Sequence, residues 1–326
     1  MFDRDSTTDE VLGGADLSGR RVVITGAAGG LGRESARALA AHGASVTLLA
    51  RSRERAEAAV REVGALVPGA ELEPGVVDLG DLATVRSFAD EFLAGHDAVD
   101  VLINNAGVMA CPFGHTADGF ETQFGTNHLG HFLLTALLFP ALRRGDAPRV
   151  VTLSSAGHSR SDIDLADPSF EISEYSAWVA YGRSKTANAL FARELATRAG
   201  SSGLLSFSVH PGAIVTDLGR HLTDELVHQM IDFARARART TAATGEGGSS
   251  GELRFKTVEA GAATQVWGAT APGLEAHNGA YLADCGLGVL GADPGVNGFM
   301  AYLLDDGHAA ALWELSERLV GQRFAT

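Results

Sequence analysis

The fold of this chain follows from one stretch near its beginning, Arg20-Arg21-Val22-Val23-Ile24-Thr25-Gly26-Ala27-Ala28-Gly29-Gly30-Leu31-Gly32. Its first half contains a β-branched, apolar run closed by glycine, which predicts a buried strand. A helical pattern follows over residues 33–42 and ends at Gly43. A strand, a glycine-rich turn and a helix form the opening of a nucleotide-binding βαβ unit.

The glycines of this turn follow the spacing Thr-Gly-x-x-x-Gly-x-Gly, with Gly26, Gly30 and Gly32. The stricter Gly-x-Gly-x-x-Gly pattern is absent, so one interpretation is a turn that only packs the helix on the strand. Its place directly after a first strand favours pyrophosphate binding instead. Glycine lets the backbone approach such a ligand, and the helix N-terminus offers unpaired N–H groups.

Strands and helices alternate through the rest of the chain. This pattern predicts a single doubly wound (Rossmann) α/β domain over residues 17–326, with helices on both faces of a seven-stranded, mainly parallel sheet. Residues 1–16 are interpreted as an N-terminal arm, and a substrate-loop insertion is expected at about 217–256. Within it, the Gly/Ser/Thr/Ala run 240–251 has the composition of a mobile loop. Further strands are predicted over residues 45–50, 72–77, 99–103, 149–153, 204–209 and 279–283.

The composition restricts the class of protein. The 326 residues carry a net charge of -14, which argues against nucleic acid or an anionic membrane surface as a partner. Two cysteines, Cys111 and Cys285, form no disulfide framework and fit a reducing compartment. The acidic N-terminus is no signal peptide, and the most apolar run, residues 132–142, is far shorter than the ~20 residues that span a bilayer. We therefore expect a cytoplasmic protein, with that run forming a buried helix or lying at a subunit interface.

Polar residues follow several predicted strands. Arg51 follows the second strand, where an acidic residue binds the ribose 2′-hydroxyl of NAD and an arginine accommodates the 2′-phosphate of NADP. The alternative is a solvated arginine at the start of the next helix. Asp78 follows the third strand, where it could accept from an adenine amino group or cap the helix at 81–93. Asn104 and Asn105 follow the fourth strand and are expected to hold the sheet ends together.

Ser154 and Ser155 close the fifth strand, at the edge where open α/β sheets bind ligands. No Gly-x-Ser-x-Gly elbow surrounds them, which argues against a hydrolase nucleophile. His128 and His131 stand three apart on a helix, but no carboxylate or cysteine stands at ligand spacing. No metal is therefore expected.

Tyr181 and Lys185 are four residues apart on a segment with helical apolar spacing, so they share one face. A free tyrosine has a pKa near 10, and a neighbouring ammonium group stabilises the phenolate and lowers that pKa. The pair alone is a common coincidence on solvated helices. Its significance comes from the glycine turn and the strand-end serines in the same chain.

Together these motifs resemble the classical short-chain dehydrogenase/reductase family, over residues from about 17 to 326. The chain is most similar to the retinol dehydrogenase and WW-domain oxidoreductase subgroup, through Thr126-Asn127-His128-Leu129-Gly130-His131-Phe132 and Leu312-Trp313-Glu314-Leu315-Ser316-Glu317. Light-dependent protochlorophyllide reductases share part of the pattern and are a minor alternative. The motifs that occur in the family's order are Thr25-Gly26-x-x-x-Gly30-x-Gly32, Asn104-Asn105-Ala106-Gly107, Asn127, Ser155, Tyr181-x-x-x-Lys185 and Pro211-Gly212.

The resemblance implies a role for each matching residue. Tyr181 would be the general acid or base, Lys185 would lower its pKa and bind the nicotinamide ribose, and Ser155 would hydrogen-bond the substrate oxygen. Ser154 is a rival to Ser155, and Asn127 would hold a water in the proton relay. Besides Tyr181 and Lys185, the implied cofactor-binding residues are Gly26, Gly30, Leu31 and Gly32 around the pyrophosphate, Arg51 at the 2′-phosphate, Asp78 at the adenine, Asn105 at the adenosine ribose region, Thr216 at the nicotinamide carboxamide, and Leu79, Ala106, Gly107, Pro211 and Gly212 beside them.

The implied activity is the NADP(H)-dependent interconversion of a carbonyl and an alcohol on a small-molecule substrate. Phe233, Leu253 and Phe255 favour a hydrophobic one. Two other functions stay open: a non-catalytic NADP(H)-binding sensor or scaffold, and a lyase or isomerase that uses the same tyrosine. Family analogy also implies a homo-oligomer, and no hydrophobic anchor is expected, unlike in many membrane-bound retinol dehydrogenases. The chain departs from its relatives at Ala28 and Gly29, where they often carry a serine.

Overall fold

The computed structural model describes residues 2–244 and 254–325, and for residues 238–244 it describes the helical backbone alone. The strands are β1 Arg21–Thr25, β2 Ser45–Ala50, β3 Leu72–Val76, β4 Val101–Asn104, β5 Arg149–Leu153, β6 Leu205–His210, β7 Ala213–Ile214, β8 Phe255–Lys256, β9 Tyr281–Ala283, β10 Gly286–Leu287, β11 Val289–Leu290 and β12 Gly298–Phe299. The helices are α1 Thr8–Leu12, α2 Gly30–Ala41, α3 Arg53–Leu66, α4 Leu82–Gly95, α5 Thr122–Phe124, α6 Gly130–Leu142, α7 Ala177–Ala199, α8 Asp224–Thr244, α9 Val258–Thr270 and α10 Asp306–Val320.

Eight strands form one sheet in the order β10-β9-β6-β5-β4-β1-β2-β3. Seven of them run parallel, and the two-residue β10 pairs antiparallel with β9 at the edge. This confirms the doubly wound sheet and adds one short strand to the predicted seven. The chain passes from β1 outward to β3 and then returns to β4 on the other side of β1. Open sheets of this type bind ligands at that reversal, beyond the carboxyl ends of the strands.

Helices cover both faces of the sheet, because its central strands are apolar on both sides. On one face, Ile24 of β1 packs with Leu39 of α2 and Val266 of α9. On the other face, Val23 of β1 belongs to a core that extends through α4, α6 and α7 to Trp313 of α10. The two cores fix β1 and β4 rigidly, and with them the strand ends that carry the predicted site.

The apolar run 132–142 forms most of α6 and is internal. Phe132 and Leu134 are fully buried by the chain itself, and the Phe132 ring packs edge-on against Phe191 and Trp313, with centroids 5.6 and 5.1 Å away. The buried helix is confirmed, and its place at a subunit interface stays a prediction. Neither α6 nor any other helix within residues 2–244 and 254–325 is long and apolar enough to cross a membrane.

The segment predicted as a substrate-loop insertion contains the long helix α8. The loop prediction for residues 240–251 is wrong for its first part, because α8 continues to Thr244. The alternating Ala and Arg residues that lead into it are strong helix formers. The rest of that run and Leu253 lie outside the described residues. The chain returns in β8, which pairs with β7.

The predicted N-terminal arm contains α1, which Thr7 and Glu10 cap reciprocally. Leu12 is buried in the core beneath β1. Arg37 of α2 donates to the carboxylate of Asp9 at 2.9 Å. The arm therefore lies against α2. That residues 1–16 form a unit separate from the domain stays a prediction.

Candidate active site

One cavity of about 1310 Å³ opens at the carboxyl ends of the parallel strands. It is lined by the glycine turn after β1, by the residues that follow β2 to β6, and by faces of α7 and α8. Gly32 and Asn127 lie behind its wall. The predicted site residues that line it are Gly26, Gly30, Leu31, Arg51, Asp78, Leu79, Asn105, Ala106, Gly107, Ser155, Tyr181, Lys185, Pro211, Gly212 and Thr216.

The turn after β1 has a backbone that only glycine adopts easily. Gly26 and Gly30 have φ angles of +67° and +51°. A Cβ at Gly32 would stand 2.5 Å from both the Asn105 side-chain nitrogen and the Gly26 carbonyl oxygen. Gly29 caps α2 without a side-chain hydrogen bond, and a Cβ there would meet nothing within 4 Å. The N-terminus of α2 is therefore open to the cavity, as an anion site at a helix start requires.

The two asparagines at the end of β4 hold strand ends together, as their position predicts. Asn105 donates from its side chain to the Thr25 carbonyl oxygen at 2.8 Å, and its backbone N–H donates to the Thr25 hydroxyl at 2.9 Å. Asn104 donates to the hydroxyls of Thr135 and Thr152. The ends of β1, β4 and β5 are thus tied together below the cavity.

Two arginines border the cavity beyond β2. Arg51 follows the strand, and Arg55 lies in the first turn of α3, one helical turn further on. Neither guanidinium forms an ion pair with a carboxylate of the described residues. A cation in the first turn of a helix lies at the unfavourable end of the helix dipole. The two arginines therefore form a positive patch whose charge no described carboxylate compensates.

Asp78 lies on the cavity wall after β3, and its carboxylate accepts from the Gly80 backbone N–H at 2.9 Å. The alternative that it caps the following helix is wrong, because Asp81 is the N-cap of α4 and accepts from the N–H of Ala83. Leu79 beside it is buried against Gly130 of α6.

The structure separates the two serines after β5. Ser154 is buried, and its hydroxyl donates to the Lys185 carbonyl oxygen at 2.8 Å. Ser155 faces the cavity and accepts from the Gly157 N–H at 3.0 Å. A Cβ at Gly157 would stand 2.6 Å from the Tyr181 ring and 3.5 Å from the Ser155 hydroxyl oxygen, so the two side chains are neighbours. Of the two hydroxyls, the one at Ser155 is the one that meets the tyrosine.

Tyr181 and Lys185 lie on one face of α7, both nearly fully buried. The Lys185 ammonium nitrogen lies 5.7 Å from the Tyr181 ring centroid and donates to the Leu153 carbonyl oxygen at 3.0 Å. Burial raises the pKa of Tyr181 to about 12, which the hydrogen bond to Ser155 opposes. Burial also lowers the pKa of Lys185 to about 8. The lowered tyrosine pKa that the resemblance implies is therefore not supplied by the protein alone.

Asn127 lies in Gly125–Leu129, a π-helical turn that joins α5 to α6. Its side-chain nitrogen donates to the Val108 carbonyl oxygen and the Ser184 hydroxyl, both at 2.9 Å, and its side-chain oxygen accepts from the Val108 N–H. The side chain is thus fully engaged by protein groups. Such π-helical turns are frequent at functional sites.

Thr216 lies against the glycine turn, since a Cβ at Gly30 would stand 3.3 Å from its methyl group. Its hydroxyl accepts from the Leu218 N–H and caps the short turn Asp217–His221. Behind Gly212, the Lys256 ammonium group pairs with Asp284 at 2.6 Å. This pair anchors β8 to the loop after β9.

Sequence analysis missed three residues that face the same cavity: Arg55, Arg160 and His210. Arg55 could have been noticed as a cation in a helix's first turn. His210 ends β6, so the strand-end argument applied to the serines also applies to it. Its Nδ1 accepts from the N–H of Ala156 at 3.1 Å, and burial lowers its pKa to about 3. Arg160 carries no local sequence signal.

The two histidines of the Asn127 segment are buried and bound to protein groups. His131 contacts the Thr25 hydroxyl at 2.8 Å, and His128 contacts the Ser316 hydroxyl at 2.8 Å. Over the described part of the chain, no three His, Cys, Asp or Glu side chains form a group that could hold a metal ion.

The chain is similar to known proteins over most of its length. The family model described as short chain dehydrogenase matches residues 20–226. Retinol dehydrogenase 11 of Mus musculus is 39% identical over 83% of this chain and 79% of its own length. A crystal structure of an uncharacterized protein from Mycobacterium paratuberculosis is 34% identical, with a TM-score of 0.72, and the match covers 97% of this chain and 98% of that one. A short chain dehydrogenase from Burkholderia cenocepacia, solved in complex with NADP, is 25% identical with a TM-score of 0.61, covering 82% of this chain and 96% of that one.

Proposed function

This chain belongs to the short-chain dehydrogenase/reductase family, and we propose that it uses NADP(H) to interconvert a carbonyl and an alcohol, with Tyr181 as the acid or base. The family membership and the retinol dehydrogenase relatives make it a carbonyl/alcohol oxidoreductase that binds NAD or NADP. One observation carries the finer proposal. Ser155 and Tyr181 line the same cavity as the glycine turn that fits a pyrophosphate.

The cavity suits a dinucleotide by shape and charge. The open start of α2, where a Cβ at Gly29 would meet nothing within 4 Å, leaves room for phosphates against the backbone. A nicotinamide cofactor, when bound, supplies or accepts the hydride. The chain's own residues then have three tasks: to hold the substrate oxygen, to exchange its proton and to exclude water.

We assign the proton exchange to Tyr181. In reduction, its hydroxyl donates a proton to the oxygen of the carbonyl, while Ser155 hydrogen-bonds the same oxygen and holds it in place. Lys185 lies on the same helical face and supplies a positive charge near the phenolate that forms. The Asn127 side chain is fully engaged, and its main-chain carbonyl oxygen contacts His131 Nδ1 at 2.8 Å. We assign the relay water to the second lone pair of that carbonyl oxygen.

The preference for NADP is supported by the Arg51 and Arg55 patch and by the NADP bound to the Burkholderia cenocepacia relative. A 2′-phosphate would pair with guanidinium groups that no described carboxylate neutralises. We expect Arg51→Ala to weaken NADPH binding about 10- to 100-fold, because a hydrogen bond to a charged group contributes roughly 1.5–3 kcal/mol. NADH binding should change little. Arg53→Ala, an exposed arginine two residues on, is the matched control.

The test of the proposed chemistry is a carbonyl and alcohol panel followed by NADPH absorbance. We expect Tyr181→Phe to retain cofactor binding and to lose at least 100-fold in turnover, the scale of a general acid's contribution. Tyr175→Phe removes a buried hydroxyl that bonds the Cys111 carbonyl oxygen outside the cavity, and it should retain activity. Turnover of the Tyr181 variant within tenfold of wild type would show that the assigned acid is wrong.

The same panel separates the two other functions. Tight cofactor binding with no turnover of any compound would indicate a sensor or scaffold. Product formed without net change in NADPH absorbance would indicate a lyase or isomerase.

A further inference from the structure

Arg160 is a charged residue that lines the same cavity as Tyr181. The proposed chemistry does not use it. It ends the short 3-10 turn Ala156–Arg160, which follows Ser155 directly. Its guanidinium carbon lies 4.4 Å from the centroid of the Trp178 ring and 4.1 Å from that of Phe233. The two aromatic rings attract the cation but offer it no lone-pair acceptor. They hold the group in place and leave most of its five N–H donors unused.

The hydrogen bonds of Arg160 are few for a half-buried guanidinium. One nitrogen donates to the Gln229 carbonyl oxygen at 3.4 Å. No carboxylate of the described residues lies within ion-pair distance of it, whereas its neighbour Arg237 pairs with Asp293. Burial and the nearby Arg237 charge lower the pKa of Arg160 to about 10, which still leaves it charged at neutral pH. A partly desolvated cation without a counter-ion is costly, so a ligand anion would relieve that cost.

Arg160 and Tyr181 lie close enough for one substrate molecule to contact Tyr181 with one end and Arg160 with the other. The Trp178 ring contacts both: it lies 6.1 Å from the Tyr181 ring, edge-on, and 4.4 Å from the guanidinium. The Arg160 guanidinium carbon therefore lies no further from the Tyr181 ring centroid than the sum of those distances, a gap that a chain of several carbons spans. The wall beside them is apolar, formed by Met109, Leu222 and Met230 around Trp178.

We propose that Arg160 binds a carboxylate at the far end of an apolar substrate, so that the enzyme acts on amphipathic oxo or hydroxy acids. This inference rests on the proposed function and narrows its substrate class from hydrophobic to amphipathic. A carboxylate fits better than a phosphate because the Arg160 guanidinium carries one positive charge, which balances a monoanion. The planar fork of arginine also matches a carboxylate in a bidentate way.

The first measurement is binding, which needs no turnover. Calorimetry on the full chain, with and without NADPH, compares hexanoate, hexan-1-ol and hexyl phosphate. We expect hexanoate to bind at least tenfold more tightly than hexan-1-ol, and Arg160→Gln to abolish the difference. Arg160→Lys keeps the positive charge and should retain part of the difference in affinity. Equal binding of hexanoate and hexan-1-ol in the wild type would overturn the inference, and stronger binding of hexyl phosphate would overturn the choice of carboxylate.

The second measurement is turnover of 6-oxohexanoate against its neutral methyl ester. We expect the acid to have a kcat/KM at least tenfold higher, and Arg160→Gln to raise its KM about 10- to 100-fold. The same variant should leave kcat/KM for the ester within threefold. Arg235→Gln, an exposed arginine on α8, is the control that should change neither.

The two measurements distinguish the failure of this inference from that of the proposed function. Turnover of the ester without preference for the acid would refute the role of Arg160 and leave the oxidoreductase standing. Arg160-dependent binding of hexanoate without any carbonyl turnover would support the anion site and refute the proposed function.

Discussion

Lys185 holds its ammonium nitrogen 5.7 Å from the centroid of the Tyr181 ring and donates to the carbonyl oxygen of Leu153. Both side chains are nearly fully buried, so desolvation disfavours the charged form of each. Burial therefore raises the pKa of Tyr181 to about 12 and lowers that of Lys185 to about 8. The protein alone keeps its tyrosine protonated at neutral pH.

The first prediction concerns the order in which the tyrosines ionise. The chain has four tyrosines, and burial raises the pKa of each, with Tyr181 shifted least. Titration of the cofactor-free protein, followed by phenolate absorbance, should show no ionisation below pH 10 and a first step that belongs to Tyr181. Saturating NADP should move that step to lower pH, because a bound positive nicotinamide ring favours the phenolate.

Tyr181→Phe identifies the first ionisation step, because the substitution should remove that step and leave the later steps unchanged. Tyr302→Phe, which removes another buried hydroxyl, is the control. A first ionisation step that persists in the Tyr181 variant would contradict the assignment.

The second prediction separates the adjacent serines. Ser154 donates to the Lys185 carbonyl oxygen, so Ser154→Ala should cost about 1 kcal/mol of folding free energy and leave kcat within a few-fold. Ser155 meets Tyr181 in the cavity, so Ser155→Ala should lower kcat/KM by roughly 100-fold or more while stability changes little. Urea unfolding and steady-state kinetics on both variants give the comparison. Equal effects of the two substitutions on kcat would contradict it.

The third prediction uses two glycines of the turn. A Cβ at Gly32 would stand 2.5 Å from the Asn105 nitrogen and the Gly26 oxygen, so Gly32→Ala should destabilise the fold by about 1–3 kcal/mol. Gly29 has an extended backbone and open space around its Cβ position. Gly29→Ala should therefore preserve stability and leave cofactor binding within a few-fold, because the relatives often carry a serine at this pair of positions. Thermal unfolding and NADPH titration separate the two effects, with Gly14→Ala as the control.

Much of the fold and the site could be predicted because the motifs are local. The run Val22-Val23-Ile24 with its glycine turn predicts β1 and α2, and the strand-end positions of Arg51, Asp78 and Ser155 predict that they face one crevice. Parallel strands bring their carboxyl ends to one edge of the sheet, so residues that directly follow different strands lie close together.

The remainder depends on contacts that no local pattern contains. Which of Ser154 and Ser155 faces the cavity depends on how α7 packs against β5. Arg160 meets Phe233 of α8 across more than 70 residues of sequence, and that meeting is a property of tertiary packing. The pKa of Tyr181 also depends on burial, which raises it and which the spacing of Tyr181 and Lys185 along the helix does not reveal.

The last prediction concerns stability in acid. Burial lowers the pKa of His128 to about 3, well below its ordinary value of 6.5. Between pH 6.5 and pH 3, His128 therefore binds a proton in the unfolded chain but not in the folded protein. Stability is fully present above pH 6.5 and declines as the pH falls towards 3, by up to about 1.4 kcal/mol per pH unit for each such histidine. His131, His158 and His210 are buried in the same way and add to the slope.

His128→Gln should remove the contribution of one histidine to the pH dependence of the free energy of unfolding. We expect the variant to be somewhat less stable than the wild type at pH 7, because the buried contact with Ser316 is altered. Between pH 6.5 and pH 5, its free energy of unfolding should fall by less than that of the wild type. Urea unfolding at a series of pH values measures both quantities. His228→Gln, an exposed histidine on α8, should leave the slope unchanged. An identical pH slope in the wild type and the His128 variant would mean that His128 binds its proton equally in the folded and unfolded states.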